Sequence, residues 1–281
     1  MQFQGVCNTP LQMWCVGCGM RGQMFPPPTV GAQCLRPQYL RPQYLHPQYM
    51  IQNTPLIKPD SANPLSTTSL QLTRLETEWQ KLFLPFPGNP TLIEEIFSQL
   101  VTAYSSKERY YHNLLHIQQI LNIINTLEPL TYNLPAIQMA AWFHDIVYDP
   151  KSPNNEEKSA EYASASLSKL EIPLTIINKV VKIILNTKNH QASPEDIDSH
   201  ILLDADLSIL GAKQSEYITY TQAIRQEYSW VTEAEYKLKR KRILQHFLQR
   251  DRIYLTHTAF EMLEIKAKTN IRNEILKLSL V

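Results

Sequence analysis

The sequence predicts a single all-α domain over residues 66–281, preceded by a low-complexity extension over residues 1–65. Three observations carry that prediction. Beyond residue 65 the chain is rich in Leu, Ile, Glu, Lys and Gln, and its apolar residues recur at helical spacing. No period-2 run bounded by turn residues appears, which argues against a mixed sheet. All four cysteines lie between Cys7 and Cys34, five of the seven glycines between Gly5 and Gly31, and ten of the nineteen prolines before residue 65. From Ser66 onward there is no cysteine, and Gly88 and Gly211 are the remaining glycines.

Taken in order, residues 36–50 read RPQYL-RPQYL-HPQYM. A five-residue unit is too short and too polar to stack as a solenoid, and proline removes a donor, so an extended, disordered segment is expected. Cys15-Val16-Gly17-Cys18 lacks a second cysteine pair at similar spacing and reads as incidental thiols. The apolar run around Leu11–Val16 has no basic residues before it, unlike a signal peptide, and Met50 reads as an alternative start. Helix begins at Ser69, with Leu72, Leu75, Trp79 and Leu82 on one face, and stops at Pro85-Phe86-Pro87-Gly88. Thr91 with Glu94 is the expected cap of a second helix buried through Ile93, Ile96, Phe97, Leu100 and Val101. Further helices are expected near 113–126, 135–147, 155–169, 174–186, 213–228, 233–250 and 258–278. Breaks fall at Pro129, Pro135, Pro150–Pro153, Pro173, Pro194 and Gly211.

Charge narrows the partners. The whole chain carries +1, but four of its 27 basic residues and one of its 26 acidic ones precede Ser66. The helical part thus holds 23 against 25, a net of −2, which gives no electrostatic reason to expect nucleic acid or an acidic membrane. No window approaches the roughly 18 apolar residues of a spanning helix. A cytoplasmic protein without a membrane partner is expected.

Three segments carry chemistry. In Tyr111-His112-Asn113-Leu114-Leu115-His116 two histidines at i and i+4 would share a helix face and address one site. Asn113 stands where a zinc protease needs its glutamate base, so that reaction is excluded. In Ala140–Asp149 an adjacent His144-Asp145 pair closes an otherwise apolar helix. A charged carboxylate there costs several kcal/mol unless it is compensated, and a cation compensates imidazole nitrogen and carboxylate oxygen together. In Ile201–Gly211 the carboxylates Asp204 and Asp206 again sit in a greasy stretch. Chemistry alone leaves these two equal.

The order H…HD…D in one helical domain resembles the HD superfamily of metal-dependent phosphohydrolases, closest to a small bacterial branch of it. The resemblance covers roughly Leu70 to Leu278 and includes Tyr111–Ile117, Ala140–Pro150, Asn155–Ala160 and Asp204–Gly211. It implies a metal site in the core of a helix bundle, with His116, His144, Asp145 and Asp206 as ligands. The Ala205-Asp206-Leu207-Ser208 context is what favours Asp206. Tyr111-His112-Asn113 is also similar to the signature of class I cyclic nucleotide phosphodiesterases, which implies that His112 is the proton donor. Two nitrogen and two oxygen ligands suit Mn, Fe, Co, Ni or Mg without choosing among them. Such an ion acidifies water and polarises a phosphoryl oxygen.

Other residues are assigned more openly. Glu157, before Ser159-Ala160, matches an acidic position of the family; it either orients water or a second metal, or is a carboxylate favoured by a helix N-terminus. Asp149 keeps the last acid of the HDxxED pattern of alarmone hydrolases, while Tyr148 replaces its glutamate, a departure that argues against their mechanism. Lys188 and His190 follow an apolar helix as candidates for phosphate or second-metal contact, with a plain loop histidine as the other reading. The run Lys237–Arg242 reads as a solvated face from which an arginine could turn inward to grip phosphate. Trp142 and Phe143 read as core; Tyr228 and Trp230 suit core or pocket wall. The expected function is hydrolysis of a phosphoester or phosphoanhydride in a small phosphorylated molecule such as a nucleotide. A cyclic nucleotide phosphodiesterase and a silent nucleotide- or protein-binding module are the alternatives.

Overall fold

The computed structural model describes residues 69–280, and among these the chain forms ten α-helices and no strand. The low-complexity extension over residues 1–65, with its RPQYL repeat, its Cys15 and Cys18 thiols and Met50, lies outside the described residues. In order, the helices are α1 (Ser69–Phe83), α2 (Pro90–Tyr104), α3 (Leu114–Leu127), α4 (Leu134–Phe143) and α5 (Asn155–Lys169). They continue with α6 (Leu174–Thr187), α7 (Ile197–Asp206), α8 (Gln214–Glu227), α9 (Glu233–Gln249) and α10 (His257–Ser279).

Helix α4 is apolar on all sides, with Ala136, Ile137 and every residue from Met139 to Phe143 buried, so it can only be a central helix. Helices α1, α3, α5, α6 and α7 pack around it. Trp142 and Phe143 belong to this core as expected, edge-on to Trp79 of α1 at 5.5 and 6.0 Å. This first apolar cluster runs from Leu75 to Ala205. A second cluster starts at Leu207 and is built by a 3₁₀ turn (Leu207–Gly211) with α8, α9 and α10. The two clusters meet in sequence at Asp206.

Gly211 lets the 3₁₀ turn reach α10. A Cβ there would stand 2.7 Å from Leu263 Cβ and 2.9 Å from the Leu263 carbonyl oxygen, too close for any real side chain. Gly211→Ala is therefore expected to destabilise the chain by about 1–3 kcal/mol, read as a lowered midpoint in urea. An unchanged midpoint would mean that this contact has slack.

Three local expectations are corrected. The cap of α2 is Asn89, not Thr91: its side chain accepts from the Thr91 N–H at 3.0 Å, and Pro90 occupies the first turn, where its missing N–H costs nothing. Helix α4 ends at Phe143 and not at Val147, because the Asp145 and Ile146 carbonyls turn out to meet Arg109. The stretch Ile201–Gly211, outside the expected helices, begins within α7 (Ile197–Asp206), which is capped by Asp196 accepting from Ser199 N and Oγ. In the basic run, Arg240 does turn inward, onto Glu274 (2.8 Å) and the Tyr220 hydroxyl (3.2 Å), so its charge is used within the second cluster.

Glu156 at the start of α5 is buried, and burial raises its carboxyl to about 7. The unfolded chain ionises this group near pH 4.5 while the folded chain keeps its proton up to about pH 7. Its contribution to stability therefore falls by roughly 3 kcal/mol as pH rises through that window, and is flat on either side. The gap in thermal midpoint between Glu156→Gln and the parent chain should move in favour of the variant from pH 5 to 8. A gap independent of pH would refute this.

Candidate metal centre

Asn113 builds the first part of the site. Its Oδ1 accepts from the Leu115 and His116 N–H groups at 2.9 and 3.4 Å and so caps α3. His116 lies in the first turn of that helix, whereas His112 precedes the cap. This corrects the i, i+4 expectation: the asparagine takes the first N–H groups, and no helical turn contains both histidines. The rings still converge, with centroids 5.7 Å apart.

Arg109 joins this loop to the second motif. Its guanidinium donates to the carbonyls of Asp145 at 2.6 Å, Ile146 at 2.8 Å and His112 at 3.3 Å. It also lies over the rings of Tyr104 and Tyr148, at 4.9 and 5.5 Å. The backbone around His144-Asp145 is thereby fixed relative to His112.

His144 Nδ1 sits 2.9 Å from the Ala141 carbonyl. A carbonyl can only accept, so the hydrogen is on Nδ1, and the Nε2 lone pair of the neutral ring is left for another partner. That Nε2 lies 3.2 Å from Asp145 Oδ2 and 3.9 Å from Asp206 Oδ1. His116 Nε2 lies 3.3 Å from Asp206 Oδ1 and 3.9 Å from Asp145 Oδ2. Both Nε2 atoms are buried and neither makes a hydrogen bond. Two such nitrogens turned toward two carboxylates are a poor arrangement for neutral rings and a good one for a cation. His116, His144 and Asp145 each offer a ligand atom within 4.8 Å of one another, a group that could hold a metal ion. Asp206 approaches the same two nitrogens from the end of α7.

The electrostatics agree with the geometry. Burial pushes the His144 imidazole down, but the charges of Asp145 and Asp206 outweigh it and lift it to about 9. Burial would raise Asp145 and Asp206, yet the surrounding imidazoles hold both well below the ordinary carboxylate range. A field that draws a proton to His144 draws a metal cation equally.

His190 belongs to this group. Its backbone is left-handed, at φ 48°, a region histidine enters more readily than most residues. Arg250, just past the end of α9, holds that turn through the carbonyls of Asn189 and His190. The result brings His190 Nε2 to 2.9 Å from Asp206 Oδ2, where it orients the carboxylate. Asp204 is occupied differently: its oxygens accept from Leu255 N, Thr256 N and Thr256 Oγ1 at 2.6–2.7 Å, and so join α7 to α10. Of these two aspartates, Asp206 is the one that faces the histidines.

His112 stands beside the cluster, its Nε2 4.0 Å from Asp145 Oδ2. Its Nδ1 is 2.7 Å from Glu227 Oε2, and Glu227 Oε1 accepts the N–H groups of Tyr111 and His112 at 2.7 and 3.0 Å. Tyr148 donates its hydroxyl to Glu227 Oε2 at 2.9 Å and stacks on the His112 ring at 4.2 Å. Burial lowers the basicity of His112, but Glu227, with help from Asp145 and Asp206, more than reverses this and raises it. The ring is thus disposed to carry a proton.

The remaining candidates make contacts of their own. Asp149 is exposed, its Oδ1 accepting from Lys151 N at 2.9 Å within a turn. Lys188 bonds Glu157 and the Pro153 carbonyl, so these two candidates engage one another. Glu227 and Arg109 gave no local sign in the sequence. The replacement at Tyr148 did, since a phenol there needs a buried acceptor, and Glu227 is that acceptor.

No helix among the described residues is long and apolar enough to cross a membrane. Compared with protein families, curated proteins and solved structures, the chain matches none.

Proposed function

We propose that this chain is a metal-dependent phosphohydrolase of the HD type, acting in the cytoplasm on a small phosphorylated molecule. One observation carries the reading: the buried Nε2 atoms of His116 and His144, without hydrogen bonds, face the carboxylates of Asp145 and Asp206. His112 lies alongside, held by a carboxylate. Those four residues would hold a divalent ion, which when bound supplies Lewis acidity toward a phosphoryl oxygen and toward water.

The chain's own groups do the rest. His116 and His144 present fixed nitrogens, His144 through the carbonyl of Ala141. His190 keeps Asp206 turned toward them. His112, charged in the field of Glu227, delivers its Nε2 proton to the departing oxygen of the ester. Glu227 stabilises the imidazolium before that transfer, and the Tyr148 ring fixes the plane of the imidazole. Arg109 keeps the proton donor and the His-Asp pair at constant separation.

The test is hydrolysis by the purified full chain, loaded in turn with Mn²⁺, Co²⁺ and Mg²⁺. Substrates are linear mononucleotides, cyclic nucleotides, dinucleotides and simple phosphoesters. Turnover of a linear phosphoester or phosphoanhydride with at least one metal is expected. Activity confined to cyclic substrates would make the chain a cyclic nucleotide phosphodiesterase. Metal uptake without turnover on the whole panel would reduce it to a binding module.

A further inference from the structure

The geometry points to Trp230 and Lys151 as the station for a planar aromatic group on the phosphorylated ligand, a nucleobase being the chemistry that fits. Trp230 is 48% exposed, whereas Trp79 and Trp142 are buried. Its exposure is imposed by the backbone around it. Arg225 donates to the carbonyls of Tyr228 at 2.8 Å and Val231 at 3.1 Å, and Val231 N returns to the Tyr228 carbonyl at 3.0 Å. Tyr228 and Val231 are thereby turned into the core and the indole between them outward.

Lys151 is also displayed from a fixed turn. Asp149 receives Lys151 N at 2.9 Å, and Asn155 holds Asp149 through both its N–H and its carbonyl, at 3.1 and 2.8 Å. The Lys151 ammonium lies over the Trp230 ring, 5.3 Å from its centroid. An exposed cation–π pair is weak, and the lysine stem is flexible. A π-system of a ligand can replace the ammonium on the indole, while the ammonium moves to that ligand's anionic group.

The pair is linked to His112 through near neighbours in sequence. Tyr148, three residues before Lys151, donates to Glu227, three residues before Trp230, and Glu227 holds His112. Three residues reach no more than about 11 Å along either chain. On this proposal, a ring on Trp230 and a phosphoryl group at the histidine cluster belong to one small molecule.

This rests on the phosphohydrolase reading for the position of the phosphoryl group, and the experiment separates the two. Kinetics of the Mn²⁺-loaded full chain are compared for the parent, Trp230→Ala and Trp230→Phe on AMP, GMP, CMP, UMP and the base-free ribose 5-phosphate. Trp230→Ala should raise KM for the nucleotides about ten- to hundredfold and leave kcat nearly unchanged. Ribose 5-phosphate should be unaffected, and Trp230→Phe should recover most of the loss. Equal effects on nucleotides and ribose 5-phosphate, or no effect on either, would overturn the station and leave the hydrolase reading intact. If the parent hydrolyses none of these five compounds, AMP binding by calorimetry decides for the station, and the wider panel above decides for the hydrolase reading. Weaker binding in Trp230→Ala than in the parent supports the station, and equal binding or none overturns it.

Discussion

A chain carrying His144→Ala should purify without the divalent ion of its parent and without measurable phosphohydrolase activity. His144 contributes one of the two unbonded buried nitrogens, and the hydrogen bond from its Nδ1 to Ala141 prepares it for that role. Losing a partner that merely orients a ligand weakens metal binding or activity about 10- to 100-fold, so losing a ligand should cost more than that. Plasma mass spectrometry gives the metal content. A thermal melt with and without Mn²⁺ supplies an independent readout, since an ion that binds only the folded chain raises the midpoint. The parent should respond to Mn²⁺ and the variant should not. A His144→Ala chain that keeps a full equivalent of metal would show that the ligand set is wrong.

Glu227→Gln should have the opposite signature, full metal content with activity lowered about 10²- to 10⁴-fold, the range that follows from losing a general acid. The amide keeps the shape and one acceptor for the N–H groups of Tyr111 and His112. It also removes the negative charge that holds a proton on His112, which the burial of that ring otherwise disfavours. Glu227→Ala goes further by leaving two N–H groups and a charged imidazole without their acceptor. It should lower stability by roughly 3–5 kcal/mol, seen in urea unfolding. Substrates whose leaving group needs no proton, such as p-nitrophenyl esters, should be spared most of the loss in Glu227→Gln. If they suffer equally, His112 is not the proton donor.

Much of this was legible in the chain. The apolar spacing of Leu72, Leu75, Trp79 and Leu82 gave α1, and the unbroken run from Met139 to Phe143 gave a helix that only a core could accept. The histidines and aspartates stood out because charge in a greasy segment needs compensation. What stayed hidden was non-local. Glu227 meets His112 across 115 residues of sequence, and nothing around either residue announces the other. Asp204 and Asp206 share one helix and one composition. They differ in what comes to meet them, the backbone at Leu255–Thr256 for one and the histidines for the other. The position of His112 outside α3 was a local fact that helical spacing obscured, because Asn113 is both a possible interior residue and a strong cap.

The meeting of two apolar clusters at Asp206 has a consequence for how such a protein can change. The groups that would grip the ion come from α3, α7 and the end of α4, while the carboxylate that governs the proton comes from α8 in the other cluster. If the proposed reading holds, ion choice and turnover are written in different parts of the chain. Substitutions drifting through α8–α10 would then be able to lower the reaction rate without touching the residues that would grip the ion. On the proposed reading, a change at Glu227 in the second cluster would weaken the chemistry while leaving the ion's ligands in the first cluster untouched.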